Sequence, residues 1–232
     1  MMRSPIKQHF LGALVLAGLF VGCASNELKN SDNPEIVYNE AVRLLDDKNY
    51  LEATEFLQEL RRRFPQSRFA VLAELKAADM DFMQSNYIES AAGYGVFVDL
   101  YPNHAEAPYA LYRKAQSYFN GAPDLIARDQ SSAADAVDTS RFFIKRYPQS
   151  SYKKEVEDIL LKSRLKLAET EAYVARFYRK KEAWDASLRR WKAVIRDFSD
   201  VSRSSDGTKL LEEAQKNVSE LEARSSKEES KT

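Results

Sequence analysis

The sequence predicts an all-α fold in which helical hairpins stack into a solenoid. Three observations support this prediction, of which the first is sparse glycine. Beyond Cys23 the chain has only four glycines, namely Gly93, Gly95, Gly121 and Gly207. The second is that no stretch alternates polar and apolar residues for long enough to form a strand. The third is that one helix-length block recurs four times along the chain.

Each recurring block opens at an aromatic or small residue that stands 15 positions before a proline or its substitute. The opening and closing residues are Tyr50 and Pro65, Tyr87 and Pro102, Ala133 and Pro148, and Trp184 and Ser199. A small residue that would let a neighbouring helix approach closely lies three positions inside each block: Ala53, Ser90, Ala136 and Ser187. Because proline cannot continue a helix, each block is predicted to be a helix of about four turns.

A partner helix precedes each block and carries a small residue with an aromatic residue or Leu. These residues are Ala41 and Leu44, Ala78 and Phe82, Ala115 and Tyr118, and Ala175 and Tyr178. One such hairpin cannot bury its apolar face alone, whereas stacked hairpins can. The pattern resembles the tetratricopeptide repeat, whose unit is about 34 residues long.

The spacing of the residues that end the blocks departs from this period in two places. Successive spacings are 37, 46 and 51 residues. We assign the first excess to a polar loop at 121–132. The second predicts an additional helix at about 151–166, followed by a partner helix at about 167–181. With a final helix at about 204–223, the prediction is about ten helices in five pairs.

The first 22 residues have the pattern of a signal peptide. Arg3 and Lys7 give a positive start, and an uncharged apolar stretch runs from Phe10 to Val21. This stretch is shorter than the roughly 20 residues that a membrane-spanning helix needs. The sequence Phe-Val-Gly-Cys that ends at Cys23 resembles a lipobox, the processing site of bacterial lipoproteins. The resemblance implies that Cys23 is lipidated.

Cys23 is the only cysteine, so an intramolecular disulfide is excluded. The alternative is a conventional signal peptide with an incidental cysteine, although an unpaired thiol is unfavourable in an exported protein. Since Ala24 and not Asp follows Cys23, the lipoprotein resemblance implies the outer membrane and its periplasmic face. We expect a signal peptide at 1–22, a lipidated cysteine with a polar tether at 23–33, a tetratricopeptide-repeat domain at 34–223 and a disordered tail at 224–232.

The body as a whole resembles the BamD family of tetratricopeptide lipoproteins, which serve the outer-membrane β-barrel assembly (Bam) complex. The matching segments are DNPEIVY at 32–38, YPNH at 101–104, YALY at 109–112, RDQS at 128–131, RYPQSSY at 146–152, and three segments at 167–169, 174–178 and 183–190. Their order, with the insertion and the extra helix, is more specific than the repeats alone. Ala105 and Ser199 depart from the prolines that the family usually has there.

This resemblance implies an accessory scaffold that helps to fold and insert outer-membrane proteins by binding them, without catalysis, cofactor or metal. The N-terminal repeats would engage unfolded outer-membrane proteins. The C-terminal repeats would hold a POTRA domain of the barrel-forming Bam subunit, and other Bam lipoproteins are further candidate partners.

In repeats of this kind the first helix of each pair lines the concave face, which gives a candidate substrate-binding groove. The mapped residues are Tyr38, Val42, Asp46, Leu75, Asp79, Phe82, Tyr112, Gln116 and Phe119. Aromatic side chains with few charges suit an extended apolar peptide. The alternative is that these aromatic residues belong to the hydrophobic core, and the sequence does not decide between the two.

A basic stretch gives a candidate contact with the POTRA domain. It comprises Arg189, Arg190, Lys192 and Arg196, with Asp197 and Asp200 beside them. The alternative is a solvated helix face, because exposed ion pairs contribute only about 0–1 kcal/mol. The family resemblance favours a contact. The run from Arg61 to Arg63 is predicted to be an ordinary solvated helix end, where the helix dipole favours cations.

Composition excludes or disfavours several other functions. Arg3 and Lys7 precede Cys23, so the chain from Cys23 onward has 33 basic and 35 acidic residues, and no general basic face for nucleic acid is expected. His104 is the only histidine beyond Cys23, which disfavours a histidine-based metal or catalytic site. We expect His104 to cap or pack at a turn. The competing hypotheses are another periplasmic repeat lipoprotein, such as a pilotin or a cell-wall or division coordinator, and a glycan-acting repeat enzyme.

Overall fold

The computed structural model describes residues 27–229, with side chains described through residue 227. The predicted signal peptide, Cys23 and residues 230–232 lie outside this part of the chain. A helical turn at 27–29 precedes nine longer α-helices. They are α1 (Pro34–Asp46), α2 (Tyr50–Arg63), α3 (Arg68–Met83), α4 (Tyr87–Leu100), α5 (Ala107–Gly121), α6 (Ser131–Arg146), α7 (Lys153–Lys180), α8 (Trp184–Asp197) and α9 (Ser205–Glu229), with a 3₁₀ helix at Ser199–Arg203. The described residues contain no strand, and the predicted all-α fold of tetratricopeptide type is confirmed.

The chain divides into two compact units, and the boundary between Met80 and Asp81 falls near the end of α3. In the first unit α1 packs against α2. Its core comprises Val37, Ala41, Leu44, Leu45, Ala53, Phe56, Leu57, Leu60 and Ala73. In the second unit, consecutive helices from α4 to α9 pack pairwise. One of its core clusters lies among α7, α8, the 3₁₀ helix and α9, around Trp191, Val194 and Val201.

Three of the hairpins share one turn. The residue in the left-handed region is Lys48 at φ 59°, Ser85 at φ 63° or Glu182 at φ 58°, each two positions before the aromatic residue that opens the next helix. The residue after it donates its N–H to the carbonyl five positions earlier: Asn49 to Leu44, Asn86 to Asp81, and Ala183 to Tyr178. This is the Schellman arrangement, which usually places glycine at the left-handed position. Since this position here holds Lys, Ser or Glu, the sequence did not signal the turn.

The small residues inside the four blocks allow close helix contact, as predicted. Ala53, Ser90, Ala136 and Ser187 are all fully buried. The two serines also form hydrogen bonds in the interior. Ser90 Oγ lies 3.1 Å from Ser117 Oγ on α5. Ser187 Oγ donates to the carbonyl oxygen of Ala175 on α7 at 2.9 Å.

The predicted division into one helix at 151–166 and another at 167–181 is wrong. Residues Lys153–Lys180 form a single helix of 28 residues, α7. The segment contains no Gly or Pro, and strong helix formers such as Leu165 and Lys166 occupy the predicted junction. The predicted break depended on counting repeat units, and no residue in the segment terminates a helix.

The C-terminal helix is longer than predicted. α9 continues past Ala223 to Glu229, so residues 224–229 of the predicted disordered tail are helical. The guanidinium of Arg224 lies 4.2 Å from the ring centroid of Trp184. Glu220, one helical turn before Arg224, forms an ion pair with Arg179 of α7 at 2.7 Å. These contacts attach the end of α9 to the second unit.

Local hydrogen bonds hold the starts of α1 and α5, and the one at His104 confirms the prediction for that residue. Asn33 caps α1, since its Oδ1 accepts the N–H of Glu35 at 2.9 Å, and Pro34 follows as the first helical residue. His104 caps and packs at its turn: Nδ1 accepts the N–H of Glu106 at 3.1 Å, and the ring meets Phe97 edge-on at 5.5 Å.

The polar insertion lies between α5 and α6, as predicted. Gln130 is buried there, and its Nε2 donates to the carbonyl oxygens of Pro123 and Leu125, both at 3.2 Å. Lys166 of α7 donates to the carbonyl oxygen of Ala122 at 3.1 Å. These hydrogen bonds fix the start of the loop to the second unit.

The prediction of an ordinary solvated helix end at Arg61–Arg63 is wrong for Arg63. This side chain is only 19% exposed and forms an ion pair with Asp32 at 2.8 Å. It also donates to the carbonyl oxygen of Lys29 at 3.1 Å. Lys29 in turn pairs with Glu55 at 2.6 Å. The part of the predicted tether that the structure describes therefore lies against α2.

Candidate binding surfaces

The nine predicted groove residues divide between the two units. The first unit holds Tyr38, Val42, Asp46, Leu75 and Asp79. The second holds Phe82, Tyr112, Gln116 and Phe119.

In the first unit, the predicted residues differ in exposure. Asp46 is exposed, and Tyr38 and Val42 are half-buried. The ring of Tyr38 packs on Phe69 with centroids 5.5 Å apart. Leu75 and Asp79 are buried, as the core alternative predicts for them. Tyr38, Val42 and Asp46 therefore remain the accessible candidates of this unit.

Asp79 is a buried carboxylate with an ion-pair partner on its own helix. Its Oδ2 accepts a hydrogen bond from Lys76 Nζ at 2.8 Å. Burial by itself would lower the pKa of Lys76, but the charge and hydrogen bond of Asp79 outweigh it and raise that pKa. Lys76 is thus charged at neutral pH.

In the second unit, three predicted residues meet in one cavity of about 330 Å³. Tyr112, Gln116 and Phe119 line it from α5, one helical turn apart, so that they share a face. The opposite wall is the first part of α7, which contributes Glu155, Asp158, Ile159 and Lys162. We call this cavity the α5–α7 groove.

Aromatic contacts hold the wall of the α5–α7 groove in place. Tyr112 stacks on Tyr152, the residue before α7, with centroids 5.1 Å apart and an interplanar angle of 8°. Tyr109 also meets Tyr152, at 5.9 Å. Tyr112 and Phe119 pack on a small buried cluster that includes Ile159. These contacts form the apolar floor of the groove.

Gln116, which lines the α5–α7 groove, carries a buried hydrogen-bond acceptor without a partner in the described part of the chain. Its Oε1 is buried and has no hydrogen-bond partner among the described residues. A buried acceptor left unpaired costs about 1–3 kcal/mol, so a ligand that donates an N–H here would recover part of that cost. The backbone of an extended peptide carries such donors at regular intervals.

The four α7 residues of the groove were missed from the sequence. Their spacing at 155, 158, 159 and 162 places them on one helix face, which was the available signal. The repeat count had instead assigned this segment to an additional helix without a binding role. Glu155, Asp158 and Lys162 are exposed and give the groove a charged rim.

Phe82, the remaining predicted residue, is not among those that line the α5–α7 groove. Its ring lies under the guanidinium of Arg113 at 3.8 Å and meets Tyr87 edge-on at 5.4 Å. Arg113 Nε is buried without a hydrogen-bond partner among the described residues, so this cation–π contact is its nearest compensation. Phe82 therefore has a packing role.

The basic stretch lies on α8, where most of its charges already have partners within the second unit. Arg190 pairs with Glu171 at 2.9 Å, Lys192 with Glu222 at 2.7 Å, and Arg196 with Asp197 at 2.7 Å. Arg189 is exposed, without an ion pair in the described part of the chain, and borders a hollow with Trp184 and Asp185. The partners Glu171 and Glu222 are distant in sequence, so spacing could not reveal them.

Hydrogen bonds from arginines stabilise the charged form of two carboxylates at and just after the end of α8. The hydrogen bond from Arg196 lowers the pKa of Asp197. The nearby Asp200 accepts from Arg164 of α7, and this hydrogen bond lowers the pKa of Asp200. The surface is thus a mixture of both signs and not a simple basic patch.

The described residues lack two other kinds of feature. They contain no group of three or more His, Cys, Asp or Glu arranged to hold a metal ion. Among the described helices, none combines the length and the apolar character needed to cross a bilayer.

The hairpins, their buried small residues and the α5–α7 groove place the chain in the class of helical-repeat proteins of tetratricopeptide type. Residues 30–231 match the YfiO family, described as outer membrane lipoprotein. The chain therefore belongs to this family of outer membrane lipoproteins.

Curated relatives are named outer membrane protein assembly factor BamD. One, from Rickettsia prowazekii, is 31% identical over 210 residues, which cover 88% of this chain and 82% of the relative. Another, from Caulobacter vibrioides, is 29% identical over 88% of this chain and 68% of the relative. A third, from Vibrio cholerae, is 25% identical over 90% of this chain and 91% of the relative.

Proposed function

We propose that this protein is an accessory scaffold of outer-membrane β-barrel assembly that acts by binding, without bond chemistry. Membership of the outer membrane lipoprotein family and the shared name of its relatives support this general role. The strongest structural support is the α5–α7 groove, in which three of the predicted groove residues lie together.

The proposed ligand of the α5–α7 groove is an unfolded outer-membrane protein in extended form. Tyr112, Phe119 and Ile159 offer apolar surface for alternate side chains of a strand. Gln116 offers an acceptor for a backbone N–H. A strand that alternates polar and apolar residues matches both features.

The proposed partner of α8 is a POTRA domain of the barrel-forming subunit. The exposed Arg189 supports this, as do the ion pairs of Arg190 and Arg196, which could be exchanged for acidic groups of the partner. We also propose that Cys23 carries the lipid that holds the chain on the periplasmic face of the outer membrane, where other Bam lipoproteins are further candidate partners. The lipobox and the family description support this anchor.

The test of groove binding is a titration of the chain from Ala24 onward with a labelled synthetic peptide from a β-strand of an outer-membrane barrel. Phe119→Ala removes apolar floor, and Gln116→Leu removes the acceptor at similar volume. We expect each to raise the Kd about tenfold, the effect of losing about 1.4 kcal/mol. Phe142→Ala is the matched control, because Phe142 is 54% exposed on α6 and lies outside the groove.

Two outcomes contradict the groove assignment. One is an unchanged Kd for Phe119→Ala, and the other is an equal loss for Phe142→Ala. Circular dichroism of each variant separates a lost contact from a lost fold.

A further inference from the structure

One helix of the second unit has an exposed face of unusual composition. On α4, Ile88, Val96 and Leu100 are 54%, 51% and 62% exposed, and Ala92 between them is also exposed. These four residues follow one another at intervals of four, so they form a single stripe along the helix. The stripe extends over about 18 Å at 1.5 Å per residue.

The opposite face of α4 is already buried in the second unit. It comprises Ser90, Ala91, Tyr94, Gly95, Phe97 and Val98. α4 is thus apolar on both sides, a pattern that belongs to a helix covered all round. The exposed stripe is therefore not needed to hold α4 in place.

The corresponding helices of the other repeats provide an internal comparison. Each of α2, α6 and α8 has basic residues in its last turn, whereas α4 has none. The whole of α4 contains no Lys or Arg. Apart from the stripe, its exposed residues are the acidic Glu89 and Asp99. Contiguous exposed apolar residues of this kind typically mark an interaction site.

We propose that this face of α4 docks an amphipathic helix of another protein, whose apolar stripe is flanked by Lys or Arg. The apolar residues would cover Ile88, Val96 and Leu100. The basic residues would meet Glu89 and Asp99, which lie near the two ends of the stripe and about 15 Å apart along the helix. The partner therefore needs two basic positions about ten residues apart.

The same two carboxylates disfavour other occupants. If two copies of α4 packed antiparallel, Glu89 of one would face Asp99 of the other. If they packed in parallel, each carboxylate would face the same carboxylate of the other copy. Both arrangements place like charges together, which is destabilising. An anionic lipid surface would repel the same pair, because such surfaces attract Lys and Arg.

The test uses the chain from Ala24 onward and two synthetic amphipathic helical peptides with the same leucine stripe. One carries Lys and the other Glu at the two flanking positions. We expect the Lys peptide to bind at least about tenfold more tightly. Val96→Lys should remove this binding, and Glu89→Lys combined with Asp99→Lys should reverse the preference. Leu51→Lys is the matched control, because Leu51 is 79% exposed on α2.

Equal affinity for the two peptides, or binding that survives Val96→Lys, would overturn the proposal. Sedimentation of the chain alone and flotation with anionic phospholipid vesicles test the other occupants. A dimer that Val96→Lys dissociates, or vesicle binding that it removes, would also overturn the proposal. If Val96→Lys lowers the helix content, Leu100→Ser serves as the second variant.

Discussion

At the scale of single residues, the contacts around the 3₁₀ helix show how closely the second unit is packed. A Cβ atom added at Gly207 would clash with the carbonyl oxygen of Val201 and would lie 2.9 Å from Ser204 Oγ. The N–H of Gly207 also donates a hydrogen bond to Ser204 Oγ, which caps the helix, at 3.0 Å. Glycine is therefore required by space at the start of α9.

Gly207→Ala should consequently destabilise the protein, although alanine is the better helix former by about 1 kcal/mol. Overpacking of this kind costs about 1–3 kcal/mol. The substitution should therefore lower the free energy of unfolding, whereas replacing glycine by alanine in a helix usually raises it. Urea unfolding measures the change in the free energy of unfolding. Glu212→Ala, at an exposed position of α9, should change it little. A stabilised Gly207→Ala variant would disprove the close contact.

The pair of Arg164 and Asp200 predicts a dependence on pH. The hydrogen bond from Arg164 lowers the folded-state pKa of Asp200. The contribution of this hydrogen bond to stability is thus fully present above the unfolded-state pKa of Asp200, about 3.9. It is lost as pH falls through the lower folded-state pKa. Asp200→Asn should destabilise by at most about 1 kcal/mol at pH 7, because the Asp200 side chain is 43% exposed and solvent screens the pair.

Thermal unfolding of the two proteins at pH 7 and at about pH 2.5 checks this. The difference in unfolding free energy between wild type and Asp200→Asn should shrink towards zero in acid. A difference that is as large in acid as at pH 7 would show that the carboxylate charge is not its source.

At the scale of elements, the sequence predicted most helices because their endings carry local signals. The pairs Phe64-Pro65, Tyr101-Pro102 and Tyr147-Pro148 stop α2, α4 and α6, and Asn33-Pro34 starts α1. The continuity of α7 was not predicted. The segment contains no signal that ends a helix, but the prediction gave more weight to the repeat count than to this absence. For the same reason only the α5 side of the α5–α7 groove was predicted. The α5 residues were mapped from the repeat, whereas α7 was predicted as two separate helices.

Leu167→Pro distinguishes the continuous α7 from the two helices that the repeat count suggested. Proline is tolerated at the first position of a helix, so a break before Leu167 would accept it. Inside a continuous helix it costs about 3 kcal/mol or more. We expect a loss of this size beyond that of the control Leu167→Ala, measured by urea unfolding. Equal stability of the two variants would argue for a break.

The ion pairs of α8 predict how a charge reversal affects partner binding. Arg189→Glu with Arg190→Glu should raise the Kd for an isolated POTRA domain about tenfold and reduce its salt dependence. Arg62→Glu is the control, since Arg62 is exposed on the first unit and pairs only locally with Glu59. Titration calorimetry at two salt concentrations provides the measurement. Unchanged binding by the α8 variant would remove α8 from the proposed contact.

At the scale of the whole molecule, the two units carry different surface features. The first unit holds the described part of the tether against α2 through Arg63 and Lys29. The second unit contains the α5–α7 groove and the exposed stripe of α4. The chain as a whole belongs to a family of outer membrane lipoproteins. Which surface meets which partner could not be read from the sequence, because pairing between distant helices decides what stays exposed.

The central claim is that this chain serves outer-membrane β-barrel assembly. Its most direct test is depletion of the protein in the cells that produce it, followed by quantification of folded barrel proteins in purified outer membranes by heat-modifiable electrophoresis. We expect folded barrels to fall as the protein is depleted and to recover when the wild-type chain is restored. Normal levels of folded barrels after complete depletion would contradict the claim.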